Sequence, residues 1–310
     1  MKKVIAIILT AATLLSVMLC GTACQKSGDD TSAAYDKFVT AYTVANPDGE
    51  LVVATSPDFS PMEFVDLSKK DQEQYVGFDI LLAKYIAMKL NKKLVIKPLD
   101  FTACQTAVYT GSVDMSISGY SKTDERVESY ELSDFYYAGD NETEQFVIVK
   151  AEKAGTFKKA EDFSGLKVGA QNASLQQNLV NAQLVPAGAA IELYTDLGTA
   201  VLALQDGKID ALAVAFGNAE AIMASNKSVD FSGFQFELDE DEKNNVVMMQ
   251  KGDTELLAQV NAIMAEAKEK GLYGQWYAAC QVLAGTKDAK EISYDESGNM
   301  IIEEESGSTK

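Results

Sequence analysis

The sequence predicts an α/β fold made of two similar lobes, which the chain joins by crossing between them twice. Three observations carry this expectation. Short β-branched runs alternate with helical patterns along most of the chain. A segment at 107–114 recurs without gaps at 203–210. Two polar stretches, one near Ala138 to Glu142 and one from Leu238 to Asn245, interrupt the apolar patterning.

The chain opens with Met1-Lys2-Lys3, an apolar stretch from Val4 to Leu19, and the small residues Gly21-Thr22-Ala23 before Cys24. Positive charge, an apolar run and a small-residue cleavage site define a secretory signal, assigned to 1–23. Ala23 followed by Cys24 resembles a bacterial lipobox, from which Gly21 departs, and this places a lipidated first residue at Cys24. Cys20 is the other candidate start, although bulky Leu19 precedes it. Gln25 to Ser32 is polar and small, so 24–48 reads as a lipidated N-terminus and flexible tether.

The first lobe is expected over 49–139 together with 245–285, and the second over 140–244. Leu51 to Ala54, Leu94 to Ile96 and Val113 to Ile117 read as strands, and Ile80 to Leu90 as a helix that Asp79 caps. The repeat aligns Ala107 with Ala203, Gly111 with Gly207 and Asp114 with Asp210. Each copy reads as a helix ended by a glycine able to take positive φ, with a strand directly after it. Beyond the second interruption come a strand, Val246 to Met249, and a helix from Thr254 with Leu256, Val260, Ile263, Met264 and Ala267 on one face. The extension 286–310 holds two strand-like runs, Ile292 to Tyr294 and Met300 to Ile302, around turn-forming residues, then the acidic run Glu303 to Glu305.

A net charge of −19 argues against nucleic acid or anionic membrane surfaces as partners, since both need clustered Lys and Arg. Histidine is absent, which removes His-based nucleophile pairs and the commonest zinc ligand. Cys104 and Cys280 show no metal-ligand spacing. Export permits a bridge between them, and buried free thiols on helices are the alternative. No cofactor or metal is indicated.

Five segments occur in an order and spacing that point further: Phe59 to Phe64, Tyr75 to Asp79, Leu99 to Phe101, Gly111 to Met115 and Ser118 to Arg126. With a looser match through Val168 to Gln171 and the helix after Gly252-Asp253, the chain resembles the type II solute-binding proteins of polar amino-acid ABC transporters. Glutamine-binding and lysine/arginine/ornithine-binding proteins are similar. The resemblance implies a two-lobed solute-binding (Venus-flytrap) fold, each lobe a mixed sheet flanked by helices, with a two-stranded hinge. It also implies an extracytoplasmic binding lipoprotein, held to the membrane by its lipid alone, that delivers an amino acid or related small carboxylate to an ABC permease.

The resemblance assigns Arg126 to the ligand carboxylate, and a planar guanidinium does offer two parallel donors to two carboxylate oxygens. By residue type alone Arg126 reads instead as a surface salt bridge to Asp124 or Glu128, and the motif context reverses that preference. Phe59 and Phe101 match aromatics that sandwich the ligand, where residue type alone gives core packing. Ser118, the Gly119 carbonyl and Ser121 match polar ligand contacts. Gln171 to Ser174 precede a helical run, so N–H groups there offer a second carboxylate clamp. One departure stands out: the family usually has an aspartate for the ligand ammonium where this chain has Ala215. Either the ligand lacks a free α-ammonium, or Asp58, Glu63 or Glu220 reaches it from a new direction. Two other classes stay open, a sensor that presents its closed lobes to a signalling partner and an enzyme resembling cyclohexadienyl dehydratases, which needs a cleft carboxylate of raised pKa.

Overall fold

The computed structural model describes residues 29–137, 144–289, 293–294 and 300–301. The export signal and Cys20 and Cys24 lie outside the described residues, as does the first crossing near Gly139. Among the described residues no helix is long and apolar enough to cross a membrane.

A helix, α1 (Asp29–Ala41), stands where the sequence reading placed a flexible tether. Tyr35, Phe38, Val39 and Tyr42 recur at helical spacing and seat the helix against the first lobe. The Tyr35 hydroxyl accepts from Gly77 N–H at 3.2 Å, and Trp276 Nε1 donates to the Tyr42 hydroxyl at 3.0 Å. The polar residues flanking this stretch had hidden an amphipathic face.

From there β1 (Glu50–Thr55), the ribbon β2 (Phe64–Val65) and β3 (Tyr75–Val76), α2 (Phe78–Lys89), β4 (Lys93–Pro98), α3 (Phe101–Tyr109), β5 (Met115–Ser121), α4 (Asp124–Ser129) and β6 (Tyr130–Leu132) follow in order. The second lobe runs β7 (Gln145–Lys150), β8 (Lys167–Gln171), α5 (Leu175–Leu179), β9 (Ala190–Tyr194), α6 (Leu197–Gln205), β10 (Ala211–Ala215), α7 (Phe216–Ser225) and β11 (Val229–Gln235). The chain then returns as β12 (Asn245–Gln250), α8 (Thr254–Glu269) and α9 (Leu272–Leu283), and β13 (Ser293–Tyr294) pairs antiparallel with β14 (Met300–Ile301).

The two sheets are built alike. The first has the order β4-β1-β5-β12-β6, the second β9-β8-β10-β7-β11. In each the first three strands are parallel, and the strand entered by a crossing, β12 or β7, lies antiparallel to its neighbours. The repeat found in the sequence falls at equivalent places. Gly111 and Gly207 end α3 and α6 at φ 66° and 71°. The carboxylates of Asp114 and Asp210 then accept from the first strand's N–H groups, Val52 at 2.7 Å and Lys167 at 3.0 Å. Separate apolar clusters fill the lobes, one around Trp276, Phe78 and Ile86, another around Phe163, Val168 and Leu184.

Asp79 does not cap α2, which begins at Phe78 with Gly77 before it. Its carboxylate is buried instead and accepts from Gly119 N–H and the Tyr136 hydroxyl, both at 2.9 Å. Cys104 and Cys280 are both buried and not bridged to each other, and burial pushes the Cys104 thiol up to about 12.

Candidate functional site

Between the lobes lies a small cavity of about 30 Å³ whose lining includes Phe59, Phe101, Ser118, Gly119, Ser121, Arg126, Gln171 and Ser174. Eight of the nine candidate ligand residues thus come together. Ala215 does not line it: it ends β10 opposite Gln145 and passes directly into α7.

Arg126 is only 4% exposed. It lies on the short helix α4, where Thr123 caps the first turn by accepting from Arg126 N–H. The guanidinium donates through Nη1 to the Ser121 carbonyl at 2.7 Å and through Nη2 to the Ala173 carbonyl at 2.9 Å, the latter across the cleft. Its carbon centre lies 5.7 Å and 5.2 Å from the Phe101 and Tyr120 ring centroids. Among the described residues no carboxylate pairs with it, so the surface salt bridge to Asp124 or Glu128 is not formed. Burial pushes the guanidinium pKa down, because the charge has left water without an anion to meet it.

The floor of the cavity is set by a second buried group. Gly119 adopts φ 56°, and a Cβ there would stand 2.9 Å from the Phe59 ring, so only glycine lets the ring lie flat against this backbone. Asp79 fixes the Gly119 N–H from behind. Ser118 donates its hydroxyl to Glu63 Oε1 at 2.6 Å and accepts from Ser56 N–H at 3.0 Å, so it holds the scaffold more than it offers a free hydroxyl. The remaining oxygens, Glu63 Oε2 and Asp79 Oδ1, are buried with no other donor, and the two carboxyls interact directly. Desolvation, then the neighbouring Asp79 charge, pushes the Glu63 carboxyl well up, so Glu63 carries the proton and Asp79 receives it.

The acids considered for a ligand ammonium are placed as follows. Asp58 accepts from Ser56 Oγ at 2.9 Å and, across the cleft, from Gln171 Nε2 at 3.0 Å and Leu197 N–H at 2.9 Å. Burial raises its carboxyl and the Leu197 N–H opposes that shift. Glu63 is sealed behind Ser118, and Glu220 on α7 does not reach the cavity. The second clamp expected at Ser174 is reduced: Ser174 Oγ caps Gln177 N–H, and Ala173 N–H donates to Gln177 Oε1 at 2.7 Å.

Sequence reasoning missed Gln145, Gln176 and Asn245, which also line the cavity. No short motif marks them, and only the sheet topology shows that Gln145 and Asn245 each begin a strand entered by a crossing.

Comparison with known proteins gives consistent matches. A probable histidine-binding protein of Campylobacter jejuni is 29% identical over 281 residues, covering 88% of this chain and 96% of that protein. An arginine-binding extracellular protein of Bacillus subtilis is 26% identical, covering 87% and 94%. The crystal structure of an amino acid ABC transporter substrate-binding protein from Streptococcus pneumoniae, bound to L-arginine, superposes with a TM-score of 0.70 at 30% identity, covering 77% of this chain and 97% of that one. The family model described as bacterial extracellular solute-binding proteins, family 3, matches residues 51–279, and the chain belongs to that family.

Proposed function

We propose that this chain is the extracytoplasmic binding component of an ABC importer, anchored through a lipid on Cys24, and that its lobes close on an amino acid or related small carboxylate. One observation carries the reading: a buried guanidinium, Arg126, faces the cleft with two backbone carbonyls and, among the described residues, no anion. A ligand carboxylate supplies that anion. It takes the fork in place of the Ala173 carbonyl, and two parallel charge-assisted bonds then favour the closed lobes. Phe59 and Phe101 keep water from this contact.

The ligand we favour has no free α-ammonium. Among the described residues no carboxylate lines the cavity, Ala215 supplies none, and Asp58 is already held by three protein donors. The Glu63 and Asp79 carboxyls, walled off behind Ser118 and Gly119, shape the site and do not reach a ligand as general acids.

The test is a thermal-shift and calorimetric panel of α-amino acids and their deaminated counterparts on the native chain and on Arg126→Ala. Replacing a charge-assisted grip worth about 1.5 to 3 kcal/mol should weaken binding by about one to two decades. Retention of ligand by Arg126→Ala at native affinity would refute the grip, and tighter binding of the amino acids than of their deaminated forms would refute the missing ammonium.

A further inference from the structure

The cavity wall beside Arg126 is made of primary amides. Asn245 is the first residue of β12, in register with Ser121 at the end of β5. Gln145 is the first residue of β7, in register with Ala215 at the end of β10. The two sheets are built alike, so these are equivalent positions in the two lobes, each where the chain has just crossed. Gln176 on α5 completes the wall, its Nε2 donating to Gln145 Oε1 at 2.7 Å. Asn245 is 8% exposed, lines the cavity, and has no protein partner for its side-chain amide among the described residues. In the open cavity water can meet this amide, and a ligand that displaces that water must replace both its donor and its acceptor contacts or lose affinity.

We propose that this amide wall selects a ligand whose uncharged part ends in a carboxamide, which both donates and accepts hydrogen bonds, and that Asn245 is the residue that reads it. The proposal rests on the carboxylate grip by Arg126. Among the described residues of this wall a cationic end group finds neutral amides and no carboxylate, and burying it without an anion is unfavourable. An apolar end group leaves the Asn245 amide unmet. On this reading the chain prefers a different ligand from those named for the arginine- and histidine-binding proteins to which it is similar.

The experiment is isothermal titration calorimetry of the full chain with L-glutamine, its deaminated counterpart glutaramate, L-arginine and L-valine, on the native protein and on Asn245→Asp, Asn245→Leu and Arg126→Ala. The expected result is that one or both carboxamides bind more tightly than arginine and valine. Losing one amide contact should cost Asn245→Leu about tenfold in carboxamide affinity, with valine unchanged. Asn245→Asp should shift the arginine-to-glutamine affinity ratio toward arginine by about tenfold or more. Arginine or valine binding the native protein more tightly than both carboxamides overturns the inference, as does failure of both carboxamides to bind. Unchanged ratios in both Asn245 variants, with Arg126→Ala still abolishing binding, overturn the amide reader and leave the carboxylate grip standing. Changed ratios with Arg126→Ala binding normally sink the grip alone, and melting temperatures close to native confirm that the Asn245 variants fold.

Discussion

Glu63 and Asp79 form a buried carboxyl pair that should make the first lobe less stable as pH rises through neutrality. Desolvation is the main cause of both shifts, and Asp79 is pushed up to about 7 while Glu63 rises well above its ordinary value. A carboxyl with a raised native pKa holds its proton when the unfolded chain has already released it. Between the ordinary carboxylate range and the native value the folded state therefore binds more protons, and unfolding free energy falls with pH. The slope is about 1.4 kcal/mol per pH unit for each such proton. Acidification also relieves the repulsion behind a net charge of −19, so the absolute trend is ambiguous and a difference is needed. Glu63→Gln provides it. Its amide oxygen still accepts from Ser118, and its NH₂ donates to Asp79 as the protonated acid does, so the variant is fixed in the neutral form. Urea unfolding followed by Trp276, the single tryptophan and fully buried in the first lobe, reads the lobe that holds the pair. Near pH 5 the two proteins should be close in stability, and as pH rises the variant should draw ahead, by about 1.4 kcal/mol for each unit over which folded Glu63 keeps its proton. Parallel stability curves for the two proteins would show that Glu63 binds its proton equally well folded and unfolded, and the argument would fail.

Two further outcomes test the frame around the site. Gly77 adopts φ 125°, and a Cβ there would stand 2.2 Å from the Met62 carbonyl oxygen and 2.9 Å from Glu63 Cα, both backbone. Gly77→Ala should therefore cost about 3 kcal/mol or more by the same urea assay, whereas Gly252→Ala, also at positive φ but in open space, should cost about 1 kcal/mol; equal losses would mean that the close approach is not what selects glycine. Cys104 and Cys280 are both fully buried, and the Cys104 thiol is held neutral. Peptide mapping after iodoacetamide treatment should find both unmodified in the native protein and both modified in urea; rapid native labelling of Cys104 would contradict its burial.

Much of this arrangement was legible because it is written locally. Gly111 and Gly207, each followed by a strand and an aspartate, revealed two lobes because the same backbone problem is solved twice with the same residue types. Arg126, Phe59 and Phe101 sit in short contiguous motifs, and the family resemblance that those motifs carry anticipated their convergence, where residue type alone gave a surface salt bridge and core packing. Asp79 was misread for the opposite reason. An acidic residue at a helix start looks like a cap, and only the three-dimensional approach of Gly119, Tyr136 and Glu63 shows why burying it here is tolerated. The amides of Gln145 and Asn245 were out of reach for the same cause. They are 100 positions apart, carry no motif, and become neighbours of one cavity only because each begins a strand inserted antiparallel beside β10 or β5. The division has a functional consequence. The proposed carboxylate grip lies in contiguous sequence within one lobe, whereas the amides proposed to meet the rest of the ligand come from both crossings and from the second lobe. Changes at the crossings can therefore retune which ligand is chosen without disturbing the Arg126 grip.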